Sequence, residues 1–291
     1  MSVRETAANL PIWQRPVDPQ PLKGGLSNAS FMVDDGTGRY VVRIGEDFPF
    51  HHVFRATEQA TSVAAFSAGL SPELVYQAPG ISVIRLIEAR TFAEADVRAA
   101  LPRVLEIVKR CHKDMPHHVS GQAPFFWVFH VLRDYARTLA AANAPGAAQL
   151  PRLIAIANEL EQAQMPLPIV FGHNDLLPTN MLDDGRRLWL IDWEYGGFSS
   201  PMFDLACLAS HSSFDRPLEL AMLEGYRERK PEEAFIRSFD AMKAMAAMRE
   251  GVWGLVSDVF MSAPGSDYQA YAAGHLGRFE SALAAYRQSH G

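Results

Sequence analysis

The 291-residue sequence holds only two cysteines, Cys111 and Cys207, and neither belongs to a Cys-x-x-Cys pair or a Cys/His cluster. That spacing excludes a zinc ribbon and a disulfide scaffold. Basic excess is also missing: 27 Lys and Arg stand against 33 Asp and Glu, a formal charge of -6. Phosphate-backbone binding draws on a positive surplus, so nucleic acid is not an expected partner. The N-terminal run MSVRETAANLPIWQRP lacks the basic start and apolar stretch of a secretory signal. The most apolar long segment, residues 239–262, is interrupted by Lys243, Arg249, Glu250 and Asp258, which reads as a buried core helix and not a membrane span. Repeats and low-complexity tracts are absent. The expected chain is soluble, cytoplasmic and globular, without membrane insertion, and long enough for one large domain or two modest ones. Its oligomeric state is not written in the sequence.

What is present divides at about residue 90. Residues 30–33 and 40–44 are short β-rich runs joined by Asp-Asp-Gly-Thr-Gly, a tight-turn composition, and Lys23-Gly24-Gly25-Leu26-Ser27-Asn28 closes a further strand and turn before them. Residues 54–68 carry no Gly or Pro and predict a helix that stops at Gly69, with Pro72 beyond. Strands are expected at 74–76 and 81–87. Beyond Thr91 the pattern turns helical: a long helix over 93–112, with Pro102 at a first turn or a kink, then helices at 127–142, 151–164, 203–212, 217–228, 233–260 and 267–288. Only 169–171, 181–182 and 188–191 read as strands in this part. The expected class is α+β: a small β-rich lobe, residues 1–88, followed by a larger, mostly helical lobe, residues 89–291.

Residues 171–197, FGHNDLLPTNMLDDGRRLWLIDWEYGG, carry the chemistry. Two short apolar runs flank Asp-Asp-Gly-Arg-Arg and predict an antiparallel hairpin. Asn180 stands just before its first strand and Asp192 just after its second, so one open end presents an amide oxygen and a carboxylate. Asp175 lies five residues upstream. Oxygen ligands of this kind suit Mg²⁺, which needs few protein ligands when phosphate oxygens complete its shell. Phosphoryl transfer requires a held nucleotide, Mg²⁺ on its phosphates and a base that orients the attacking hydroxyl. Asp175 is the expected base and Asn180 and Asp192 the expected metal ligands, at the Asp-to-Asn spacing of the protein-kinase catalytic loop. His173 is expected to hold the loop by hydrogen bonding, and Asp204 to cap or anchor the next helix and brace the loop.

His173-x-Asp175-x4-Asn180, Ile191-Asp192-Trp193-Glu194-Tyr195 and Phe203-Asp204-Leu205-Ala206 together resemble the choline/ethanolamine kinase group of the aminoglycoside phosphotransferase superfamily. The likeness extends from about residue 22 to 255 and implies a bilobal, protein-kinase-like fold. It implies ATP as co-substrate and a glycine-rich turn over the phosphates, in which Gly24 and Gly25 permit close approach and Ser27 and Asn28 donate to oxygens. Arg43, in Val-Val-Arg-Ile, takes the strand position where protein kinases carry Lys, and Glu58 is its expected helix partner. Backbone groups of Leu86, Ile87 and Glu88 are expected to read the adenine edge. The His51-His52 and His117-His118 pairs lack ligand spacing and are read as surface residues.

The same resemblance places a small amino alcohol, choline or ethanolamine, as acceptor, with Glu194, Tyr195 and Trp253 around it. Phe198, Phe203, Glu250 and Asp258 are further candidates for the pocket. Trp253 matches the start of the Trp-Gly-Leu-Trp run of choline kinases, but Val256 replaces its second Trp, and His211 stands where a Glu is common. Those departures lead to the expectation that ethanolamine equals or exceeds choline. Rival readings are another acceptor, such as an aminoglycoside, thiamine or a sugar alcohol, and a nucleotide-binding regulatory protein that performs no transfer.

Overall fold

The computed structural model of the chain describes residues 1–22, 28–263 and 265–291. Lys23 to Ser27, which include the expected phosphate-contacting Gly25 and Ser27, lie outside the described residues. The chain opens with helix α1 (Val3–Ala8), which the sequence reading did not assign. Its signal is a capping box: Ser2 accepts from the Glu5 N–H while the Glu5 carboxylate takes the Ser2 N–H.

Five antiparallel strands follow: β1 (Gln20–Pro21), β2 (Ala29–Asp34), β3 (Arg39–Ile44), β4 (Leu74–Ala78) and β5 (Ile81–Arg85). They form one sheet in the order β1-β2-β3-β5-β4. The β2–β3 turn is tight because Asp35 Oδ1 accepts from the Thr37 and Gly38 N–H groups while Gly36 takes a positive φ of 81°. Helix α2 (Arg55–Ser67) connects β3 to β4. It ends in a Schellman motif, with the Leu70 N–H on Ala65 O and the Gly69 N–H on Phe66 O, and Gly69 supplies the left-handed corner.

The expected single helix over 93–112 is two, α3 (Glu94–Ala99) and α4 (Leu101–Asp114), after the short strand β6 (Arg90–Thr91). Pro102 is responsible. It has no N–H to give and its ring clashes with a preceding carbonyl, so the chain restarts at Ala100 and Pro102 sits in the first turn of α4. The rest comprises α5 (Val128–Ala141), α6 (Leu150–Gln162), strands β7 (Val170–Gly172), β8 (Met181–Asp183), β9 (Leu188–Leu190) and β10 (Gly197–Ser199), then α7 (Pro201–His211), α8 (Arg216–Arg227), α9 (Glu233–Phe260) and α10 (Tyr268–His290). Among the described residues no helix is long and apolar enough to cross a membrane. Both cysteines are buried free thiols.

Two apolar clusters form. The smaller unites Ala7 and Leu10 with Phe31, Val33, Tyr40, Val42 and Val83 of the sheet. The larger is built around α9, buried along most of its length, and extends to Ala64 and Ala65 of α2 and to Ala68 just after it. An antiparallel sheet followed by a mostly helical remainder is the α+β, bilobal, protein-kinase-like arrangement expected from the sequence.

Candidate active site

The β8–β9 hairpin pairs Met181 with Leu190 and Asp183 with Leu188. Its turn is set by Asp184 Oδ1, which accepts from the Arg186 and Arg187 N–H groups, and by Gly185 at φ 84°. At the open end the Ile191 N–H donates to Asn180 O at 3.0 Å. Asn180 and Asp192 therefore leave the hairpin side by side. Asn180 Nδ2 donates to the Asp175 carbonyl at 3.0 Å and to its carboxylate at 3.1 Å, which leaves Oδ1 as the ligand atom of that amide. The three residues meet in one place.

Two corners of this region adopt the left-handed conformation without glycine, Asn174 at φ 61° and Asp192 at φ 67°. Asn174 holds its corner through Nδ2, which reaches Tyr195 O at 2.9 Å and Gly172 O and Gly197 O at 3.3 Å. This ties the 173–175 loop to the segment after Asp192. Asp204, on α7, accepts the His173 N–H at 2.9 Å and the Asn174 N–H at 2.7 Å, with His112 Nε2 2.9 Å from the same carboxylate. Burial opposes its charge, but the contacts with His112 and His173 together outweigh burial and keep the carboxyl below its usual range. His173 is fully buried and donates from Nε2 to Ile191 O at 2.9 Å, so it spans loop and hairpin. Gly172 is required here, since a Cβ would stand 2.4 Å from Ser199 Oγ.

Across the cleft, β3 presents Arg43. Its Nη1 lies 2.9 Å from Glu58 on α2 and its Nη2 2.6 Å from Asp192. Arg55 continues the chain of charges, 2.6 Å from Glu58 and 3.1 Å from Glu194. Burial raises the energy of the Asp192 charge, but Arg43 overcomes this and holds the carboxyl low. Glu194 goes the other way: burial, then repulsion from Asp192 and Glu58, lifts it to about 7. Burial, with the Glu250 carboxylate nearby, also pushes Asp175 well above the ordinary carboxylate range.

Arg43, Asp175, Asn180, Asp192 and Glu194 line one cleft of about 650 Å³. One end is walled by Asn28, Val41, Ile84, Leu86, Ile87 and Leu182, the other by Tyr195, Arg249, Glu250, Trp253 and Tyr271, with Asp175, Asn180, Asp192 and Arg43 between. Glu58 acts on the cleft through Arg43. Glu88 is exposed, pairs with Arg39 and is absent from the lining. Val41 shares a face with Arg43 by strand alternation and pairs with Ile84, whereas Val42 points into the core. Phe198 and Phe203 do not line the cleft, contrary to expectation. Phe198 packs on Phe171, and Phe203 is buried beside Phe126. Asp258 also lies outside it, bonded by Gln269. Val256 is core, and His211 faces a second cavity.

Sequence reasoning missed three contributors. His51, read as a surface residue, is buried: Nε2 lies 2.9 Å from Ser257 Oγ, Nδ1 3.2 Å from Tyr135 OH, and its ring stacks on Trp253. Arg249 and Tyr271 stand on helices that are buried or lack a recognisable motif. Trp253 itself donates from Nε1 to Tyr195 OH at 3.0 Å.

Residues 18–239 match the family model described as "Phosphotransferase enzyme family". Protein LicA of Haemophilus influenzae is 26% identical over 210 residues, covering 70% of this chain and 61% of that protein. The chain thus spans about three fifths of the length of that relative. A crystal structure of a choline/ethanolamine kinase family protein from Mesorhizobium loti is 28% identical, with a TM-score of 0.75 over 96% of this chain and 93% of that one. Choline kinase LicA from Streptococcus pneumoniae shares the fold at 21% identity, with a TM-score of 0.76 over 92% of this chain and 94% of that one. With most of its length matched by the family model, this chain belongs to the phosphotransferase enzyme family.

Proposed function

We propose that the chain transfers the γ-phosphate of ATP, with Mg²⁺, to the hydroxyl of a small amino alcohol of the choline or ethanolamine class. The observation that carries this reading is the single cleft in which Asp175, bonded by Asn180, faces Asp192 and Arg43. In it Asp175 accepts the hydroxyl proton and aims the oxygen. Arg43, fixed by Glu58, offers a rigid fork of donors to the nucleotide phosphates. Asn28, which lines the cleft, is assigned to the phosphates together with Gly25 and Ser27, which lie outside the described residues, and the backbone at Leu86, Ile87 and Glu88 is assigned to the adenine edge. Residues 1–88 are the nucleotide-binding lobe in this reading and residues 89–291 the catalytic and acceptor-binding lobe.

Mg²⁺ fits the donor set. Asn180 Oδ1 and the Asp192 carboxylate are hard oxygen ligands at one end of a hairpin, and a pair of this kind leaves coordination positions for phosphate oxygens. The ion supplies charge neutralisation on the transferring phosphoryl group. Glu194, Tyr195 and Trp253 stand at the acceptor end, while His173 and Asp204 keep the loop in place. The names of two similar structures, a choline/ethanolamine kinase family protein and a choline kinase, support this acceptor class.

Release of ADP, measured with choline, ethanolamine, kanamycin, thiamine and a sugar alcohol in turn, tests the reading. ADP release that depends on an amino alcohol is expected. Release with kanamycin alone would assign an aminoglycoside acceptor, and no acceptor-dependent release would favour a binding protein.

A further inference from the structure

The acceptor end of the cleft contains a cation of its own. Arg249 is buried, 2% exposed, and its Nη1 donates to Glu250 Oε1 at 2.6 Å. Its Nε and Nη2 have no hydrogen-bond partner among the described residues. What the guanidinium meets instead is aromatic: its carbon lies 4.5 Å from the centroid of the Tyr195 ring and 5.8 Å from that of Phe126. Electron-rich ring faces attract a cation, and together with the Glu250 ion pair and the nearby Tyr135 hydroxyl they explain how the group tolerates burial.

A quaternary ammonium has no N–H and depends on open aromatic faces. At this end of the cleft two of those faces are taken. Arg249 covers Tyr195, and one face of Trp253 is stacked against His51 with ring centroids 4.9 Å apart. A primary ammonium, by contrast, carries three N–H donors and is matched by a carboxylate. Glu250 borders the cleft with lone pairs to spare, since among the described residues Oε1 takes only Arg249 and Oε2 only the Tyr271 hydroxyl at 2.6 Å.

We propose that Arg249 is a specificity-determining residue: a built-in cation that occupies the Tyr195 face, so that the cleft takes an alcohol bearing a primary ammonium, held by Glu250, and disfavours a quaternary one. This inference rests on the amino-alcohol kinase reading above. A desolvated cation–π contact is worth roughly 30-fold in affinity, enough to set a preference when one ring face changes hands.

The experiment is steady-state kinetics at saturating Mg-ATP with ethanolamine, its N-methyl and N,N-dimethyl derivatives, and choline. In the unmodified protein KM should climb by about tenfold or more along the series with little change in kcat. Arg249→Ala frees the Tyr195 face and should collapse or reverse that ratio. Because that change leaves Glu250 without its guanidinium, the double variant Arg249→Gln/Glu250→Gln provides a second reading and should lose the ethanolamine preference too. On the unmodified protein, methylammonium should compete with ethanolamine at concentrations where tetramethylammonium does not. Equal use of choline and ethanolamine, equal competition by the two ammonium ions, or an unchanged KM ratio in Arg249→Ala overturns the inference and leaves the kinase reading intact. Turnover of none of the four alcohols removes that reading, and the inference with it.

Discussion

Arg43 and Asp192 stand 149 residues apart in the chain and meet at 2.6 Å across the cleft. One belongs to the third strand of the N-terminal sheet and the other ends the hairpin, so this ion pair joins the two walls on which the proposed reaction depends. Glu58 fixes the other arm of the same guanidinium at 2.9 Å, and so Arg43 is aimed rather than tethered at one point.

Replacement of Asp175 by Asn keeps its shape and removes the acceptor charge. The variant should fold and bind nucleotide normally while kcat falls by roughly 10²–10⁴-fold, the usual worth of a positioned base. Steady-state kinetics with a nucleotide-binding control decide it. Near-normal turnover would mean that another group orients the hydroxyl.

Asp192→Ala should abolish Mg²⁺-supported transfer, and Asn180→Ala should reduce it less, because a carboxylate is the charged ligand of the pair. A titration of activity against Mg²⁺ concentration distinguishes the two. Retained activity of Asp192→Ala at ordinary Mg²⁺ would contradict the ligand assignment.

Asp204→Ala strips a fully buried acceptor from two backbone N–H groups and from His112. Groups left unpaired in that way cost about 3–5 kcal/mol, and the loop that carries Asp175 should loosen with them. Urea unfolding should show the loss of stability, and the residual folded enzyme should have reduced kcat. An unchanged midpoint would mean that water replaces the carboxylate.

Trp253→Ala removes a cleft wall and leaves the Tyr195 hydroxyl without its indole donor. The acceptor KM should rise by roughly tenfold or more while the KM for ATP stays nearly constant. A change confined to ATP would place Trp253 at the wrong end.

Glu250 provides the pH test. Burial disfavours its charge, but Arg249, His211 and the Tyr271 hydroxyl together outweigh this and hold it at about 2, below an ordinary value of 4.5. A depressed folded pKa means that the ion pair stabilises fully above pH 4.5 and that this contribution fades as pH falls toward 2. The integrated effect is about 3 kcal/mol. Urea stability followed from pH 7 to 3 should therefore drop more steeply in the native sequence than in Glu250→Gln. Parallel curves would contradict the pairing.

Much of this site was legible because its geometry is local. Asp184 and Gly185 announce the turn that brings Asn180 beside Asp192, and the Asp-Asn spacing places Asp175. Strand alternation from Arg43 selects Val41 and rejects Val42, a signal the sequence carries but that was not used, since Val42 and not Val41 was considered for the base pocket. Arg249 and Tyr271 were not legible. Helix α9 is buried on nearly every side, so it lacks the apolar stripe that would mark a polar residue as exceptional. Tyr271 gains its place only through the packing of α10 on α9, a contact that no short-range pattern encodes. The three-residue strand β10 also escaped, being too short for a period-two signal, and with it the inward turn of Phe198 toward Phe171.

The most direct measurement of the central claim is detection of the phosphorylated alcohol by ³¹P NMR after incubation with ATP, Mg²⁺ and ethanolamine. One equivalent of a phosphomonoester signal per ADP formed is expected, abolished in Asp192→Ala and strongly slowed in Asp175→Asn. ATP consumed to inorganic phosphate with no phosphomonoester, or a product formed at the same rate in both variants, would contradict it.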